Sequence, residues 1–138
     1  MTSRLNPYLS FAGNTRQAME FYQGVFGGEL TLTTFGEFGM ADPQVAGRIM
    51  HGTLETAGGF TLMAADMPPE MALTPGNNIT VSISGDDSDE LHGHWAKLAE
   101  GGTVAMPLEK QSWGDEFGMC IDQFGIPWMV NIGNSTAG

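Results

Sequence analysis

Positive charge is scarce in this 138-residue chain: five Lys and Arg stand against sixteen Asp and Glu, a formal net charge of −11. Nucleic acids and anionic membrane surfaces are bound by clustered basic side chains, so neither is an expected partner. Apolar runs are short, each broken by glycine or a charge, and none has the length that crosses a membrane. The opening Met-Thr-Ser-Arg-Leu-Asn-Pro lacks the apolar stretch and small-residue cleavage site of a secretory signal, and a cytoplasmic location is expected. Cysteine is nearly absent. Cys120 stands alone, so no internal disulfide forms, and its apolar strand context suits a small core residue better than a catalytic thiolate. No phosphate-binding glycine loop, nucleophile elbow or zinc knuckle is present.

What the chain does have is glycine, and the glycines punctuate a pattern. Asn6 to Phe11 alternates as a strand with Leu9 and Phe11 on one face. Gly13-Asn14 turns the chain, and Asn14 with Gln17 three residues on reads as a capping box. Ala18, Phe21, Tyr22, Val25 and Phe26 then recur at helical spacing, and Gly27-Gly28 stops the helix. Strands follow over 29–35, 49–56 and 60–65, the last two joined at Gly58-Gly59. The pattern then starts again. Asn78 to Asp86 matches Asn6 to Asn14 position by position, Asp87 caps a second helix with the stripe Leu91, Trp95 and Leu98, and Gly101-Gly102 closes it. Three more strands end near Ile132. The order βαβββ therefore occurs twice: a duplication, with modules at 6–66 and 78–132 and a linker over 67–77 within one domain of residues 1–138.

The tandem βαβββ order, the segments Trp113-Gly-Asp-Glu-Phe-Gly118 and Asp122-Gln-Phe-Gly-Ile-Pro-Trp128, and Met50-His51-Gly52 before Asp66 resemble the vicinal oxygen chelate (glyoxalase/bleomycin resistance/dioxygenase) superfamily, in its PhnB-like subgroup. The resemblance implies an α+β fold in which curved mixed sheets form a cup with the helices outside, a homodimer, and a small-molecule ligand inside the cup. The apolar region from Phe35 to Met50 is the candidate for the exchanged or contacting segment of that dimer. Metalloenzymes of the superfamily place ligands on the first and fourth strands of each module. Carried over, those positions are Asn6, Met63, Asn78 and Met129, or Pro7 for Asn6 if the alignment slips by one. Amide oxygens and thioethers are poor ligands for zinc, iron, nickel or magnesium, so no metal and no other cofactor is expected. The subgroup has also been linked by name to methyl transfer, but no dinucleotide-type glycine motif supports it.

Alternation assigns the remaining candidates. His51, Thr53 and Glu55 point away from the helix, whereas Met50 and Leu54 point toward it. His51 is a possible general base with Glu55 as a possible orienting carboxylate, although four residues along a strand separate them by about 13 Å. A rebuilt metal site from His51, Glu55 and Asp66 is the alternative. The ligand-facing set is Asn6, Tyr8, Met63, Asn78, Trp113, Phe117, Met119 and Met129, a largely apolar lining in which methionines adapt to shape and aromatics stack. Trp113 falls beside Tyr8 and Phe117 in that arrangement, and Trp128 falls in the core. His92 and His94 are two apart on a helix and do not share a face. The reading is a metal-independent binder of a small, largely apolar organic molecule. The alternatives are a metal-dependent lyase, isomerase or dioxygenase, and a metal-free enzyme using His51 as base.

Overall fold

Glycine and proline punctuation divides the chain into eight strands and two helices in a computed structural model that describes residues 3–39, 42–68 and 71–133. The chain divides into two units, Met1–Thr74 and Pro75–Gly138. In the first, β1 (Tyr8–Phe11), α1 (Thr15–Phe26), β2 (Glu29–Thr34), β3 (Ile49–Glu55) and β4 (Thr61–Asp66) follow in order, with a short 3-10 turn at Gly36–Phe38 between β2 and β3. In the second, β5 (Val81–Gly85), α2 (Ser88–Ala99), β6 (Thr103–Lys110), β7 (Glu116–Ile121) and β8 (Pro127–Ile132) repeat that order. Each unit holds one four-stranded mixed sheet, ordered β1-β4-β3-β2 and β5-β8-β7-β6, in which only the outer pair β1–β4 or β5–β8 runs parallel. This is the α+β fold expected. Among the described residues no helix is long and apolar enough to cross a membrane.

One face of each sheet is covered by its helix. The buried stripe of α1 is Thr15, Ala18, Met19, Tyr22, Val25 and Phe26, and it rests on Leu9, Phe11, Ile49, Leu54, Leu62 and Ala64, all buried. Phe21, expected in that stripe, lies at its edge with its ring 5.4 Å from that of Tyr22. In the second unit Leu91 packs with Val130 and Ile132, and Ile83, Trp95 and Leu108 close around them. The buried faces of β4 and β8 are Leu62-Ala64-Asp66 and Trp128-Val130-Ile132.

Three local expectations are corrected. Met50 does not take the helix side: Thr33 pairs with His51 while Thr34 pairs with Ile49, so Met50 is the extra residue of a β-bulge. The bulge turns Ile49 into the core, where it is 1% exposed. The Asn14 side chain makes no cap bond; the N–H groups at the α1 entry that lack a helical acceptor are taken by Asp66 instead. Lastly, the two modules align two residues away from the sequence match at their first strands. The β3–β4 and β7–β8 hairpins are equivalent, with Thr56 bonded to Phe60 in one and Asp122 to Ile126 in the other. Met63 then pairs with Tyr8, but Met129 pairs with Ser82. Ser82 is therefore the counterpart of Tyr8, and Thr80 rather than Asn78 that of Asn6. A slip of two leaves every side chain on its expected face, because strand side chains alternate with period two.

Candidate functional site

The face of the first sheet opposite α1 is built by strand alternation and by cross-strand pairing. One row across it reads Tyr8, Met63, Thr53 and Thr31, and the neighbouring row carries Ser10, Ala65, His51 and Thr33. The small Ala65 leaves room above β4, and the rings of Tyr8 and His51 lean toward each other across it with centroids 5.9 Å apart and planes 32° apart. The Thr53 hydroxyl and His51 Nε2 share a hydrogen bond of 3.0 Å, which restrains rotation of the imidazole. Most of this face is half-buried; Tyr8 is 53% exposed.

Glu55 stands on the same face but makes its pairings elsewhere, opposite Glu29 on β2 and Thr61 on β4. The partner of His51 is thus a hydroxyl, not a carboxylate. Alternation placed Thr53 on this face but gave it no role there. The signal that identifies it is simple: two residues on along a strand, a threonine shares the face of the histidine.

The open face of the second sheet is more apolar. Met119 pairs with Met106 on one side and with Met129 on the other, and Phe117 pairs with Asn131. Trp113, in the β6–β7 loop and 62% exposed, meets the Phe117 ring edge-on at 6.2 Å. The Asn131 amide donates to Asp115 at 3.1 Å. Asn6 precedes β1 half-buried, and Asn78 precedes β5 exposed. The helical histidines take separate partners: His92 meets Glu116 on β7 at 3.0 Å, and His94 lies 3.4 Å from Glu90 one turn earlier.

Two buried carboxylates, by contrast, hold the scaffold. Asp66 Oδ1 accepts from the N–H of Gly13 and Thr15 and from the Thr15 hydroxyl, and its Oδ2 accepts from the N–H of Ile49. Asp122 ties the β7–β8 hairpin by accepting from the N–H of Phe124 and Ile126 and from the Trp128 indole. Asp66 faces α1 while His51 and Glu55 face away from it, so the rebuilt metal site of these three residues does not assemble. Neither do the first-strand and fourth-strand positions fit a divalent metal. Asn6, Met63 and Met129, with either Asn78 or Thr80, offer only amide, hydroxyl and thioether donors. Among the described residues no three His, Cys, Asp or Glu side chains cluster as a metal site.

Cys120 is 1% exposed on the helix side of β7, and burial, with the nearby Asp122 charge, pushes its thiol up to about 11. At neutral pH its thiolate fraction is then roughly 300-fold below that of an exposed cysteine near 8.5. A disulfide reagent is expected to leave the native protein unlabelled and to react once urea unfolds it; prompt native labelling would contradict the buried thiol. Because the folded value is raised, the fold favours the thiol form, and this contribution is lost as pH climbs past the unfolded value.

A family model for the glyoxalase/bleomycin resistance protein/dioxygenase superfamily matches residues 4–130. Protein YjdN of Escherichia coli (strain K12) is 33% identical over 142 residues, covering 93% of this chain and 94% of that protein. The crystal structure of protein PA1353 from Pseudomonas aeruginosa is 36% identical and superposes with a TM-score of 0.87, covering 97% of this chain and all of that one. The PhnB protein from Bacillus cereus shares the fold at 23% identity, with a TM-score of 0.73 over 95% of this chain and 100% of its own. With the model matched over nearly its whole length and two relatives above 30% identity, this chain belongs to the glyoxalase/bleomycin resistance protein/dioxygenase superfamily.

Proposed function

We propose that this chain binds a small, largely apolar organic molecule, without a metal ion, on the open face of its first sheet. The observation that carries the reading is the convergence there of Tyr8, His51, Thr53 and Met63. An aromatic ring, a thioether and a rotationally restrained imidazole together offer stacking, adaptable apolar contact and one directed hydrogen bond. A few placed polar groups on a mostly apolar lining are the usual make-up of a small-molecule site.

The test is a thermal-shift screen with neutral aromatic fragments. A fragment present at a hundred times its Kd raises stability by about 2.7 kcal/mol. Tyr8→Ala and His51→Ala are expected to abolish that shift while leaving the ligand-free melting temperature nearly unchanged, since both side chains lie outside the helix-covered core. Chelator treatment is expected to leave the shift intact. Shifts that survive both substitutions place the ligand elsewhere, and shifts that vanish with chelator restore the metal-dependent reading.

The restrained imidazole also supports a second reading, in which His51 accepts a proton from the bound molecule and the chain is a metal-free enzyme. Turnover with a pH–rate profile that follows one histidine, and that is lost in His51→Ala, decides for it.

A further inference from the structure

The duplication allows the two helix entries to be compared residue by residue. Asp66 ends β4 opposite Phe11, the last residue of β1; Ile132 ends β8 opposite Gly85, the last residue of β5. In the first unit the Asp66 carboxylate accepts from the N–H of Gly13 and from the N–H and hydroxyl of Thr15. Those two residues flank Asn14, the N-cap of α1. The residues that flank Asp87, the N-cap of α2, are Asp86 and Ser88. Ile132 has no carboxylate to offer them, and the Asp87 side chain is spent on the Glu90 N–H. Among the described residues the N–H groups of Asp86 and Ser88 and the Ser88 hydroxyl have no hydrogen-bond partner. Thr15 is fully buried; Ser88 is exposed.

A cavity of about 500 Å³ lies at that place, lined by Asp86, Ser88 and Ile132 together with Lys110 and Glu116, which pair across β6 and β7. Its size falls within the range of small-molecule sites. Glu116 is engaged by His92 at 3.0 Å, whereas Lys110 makes no ion pair among the described residues. Glu116 shares its strand face with the buried Gly118 and Cys120, so the cavity is on the helix side of the second sheet and apart from its open face.

We infer that this cavity is a second ligand site, which takes the carboxylate of a small organic acid where the first unit takes the carboxylate of Asp66. The first unit shows what the equivalent groups bind. Two N–H groups at a helix entry, a hydroxyl and an ammonium match the acceptor oxygens of a carboxylate, and the helix dipole favours its charge. Asp86, with Asp89 and Glu90 in the first turn of α2, opposes an anion. A singly charged carboxylate is therefore preferred over a dianion.

The test titrates acetate, acetamide and sulfate into full-length protein at constant ionic strength, following the assigned backbone amide signals of Asp86 and Ser88. Acetate is expected to move both amides saturably and downfield, acetamide to leave them in place, and sulfate to act more weakly than acetate. Lys110→Gln is expected to weaken acetate about fivefold, the size of an exposed ion pair. Ile132→Asp gives the second unit its own counterpart of Asp66; it is expected to shift both amides with no acetate added and to remove the acetate response. If Ile132→Asp does not fold, Lys110→Gln still decides. Amides that stay still in acetate, that answer acetamide equally, or that titrate unchanged in Lys110→Gln overturn the site, and a stronger response to sulfate overturns the choice of carboxylate.

Discussion

Replacing Asp66 by alanine is expected to cost about 3–5 kcal/mol, a large part of the 5–15 kcal/mol by which domains are typically stable. Asp66 is 4% exposed, and its two oxygens accept four hydrogen bonds from Gly13, Thr15 and Ile49. Alanine leaves three backbone N–H groups without their acceptor, and such groups are costly because water can reach them only by opening the packing. The residue also joins three parts of the unit: the end of β4, the entry to α1 and the bulged start of β3. Asp66→Asn keeps one acceptor oxygen but turns an NH2 toward either Ile49 or the Gly13–Thr15 pair, and an intermediate loss of about 2 kcal/mol is expected. Urea unfolding followed by circular dichroism measures both. A loss below about 1 kcal/mol in the alanine variant would mean that water enters and replaces the carboxylate. Fragment binding by the folded fraction is expected to be unaffected, since Asp66 points to the helix side and the proposed ligand face is the other.

The same residue shows where sequence reading stops. Strand alternation, helical spacing and glycine stops are local, and they carried the element order, the Asp87 cap that accepts from Glu90, the buried Trp128 and the buried Cys120. Asp66 caps a helix entry 51 residues before it in the chain, and no local pattern announces a cap supplied from that distance. The adjacent Asn14 has the right chemistry for the role but yields to an acceptor that reaches two N–H groups at once. The bulge at Met50 was hidden for a related reason. It exists only as a register shift between β2 and β3, so period-two alternation counted through it and assigned Met50 to the side Ile49 occupies. For the candidate site, alternation placed His51, Thr53 and Glu55 on one face correctly. The His51–Thr53 hydrogen bond and the lean of Tyr8 over Ala65 depend on side-chain rotamers and on which strands are neighbours, and neither is written in a single strand.

Gly28→Ala is the second substitution with a large expected effect, because two costs meet in one residue. Gly28 has φ +104°, a conformation L side chains rarely adopt, and a Cβ there would lie 2.0 Å from the Glu55 carbonyl oxygen and 2.7 Å from Thr56 Cα. Both obstacles are backbone, so they cannot rotate aside; relief requires moving the end of β3 away from the start of β2. A loss of about 3–5 kcal/mol is expected. The second module separates the two costs. Gly102, the counterpart of Gly28, meets the Ile121 carbonyl at 2.2 Å without the left-handed backbone, so Gly102→Ala isolates the clash. Gly59 has φ +95° with nothing within 4 Å, so Gly59→Ala isolates the conformational cost, about 1–2 kcal/mol. Gly28→Ala should approach the sum of the other two, and a value no larger than that of Gly59→Ala would show that the strand ends part freely. The close approach also bears on the proposed ligand face. It sets the first residue of β2 against the last of β3, which fixes Glu29 opposite Glu55 and, two residues further, Thr31 opposite Thr53.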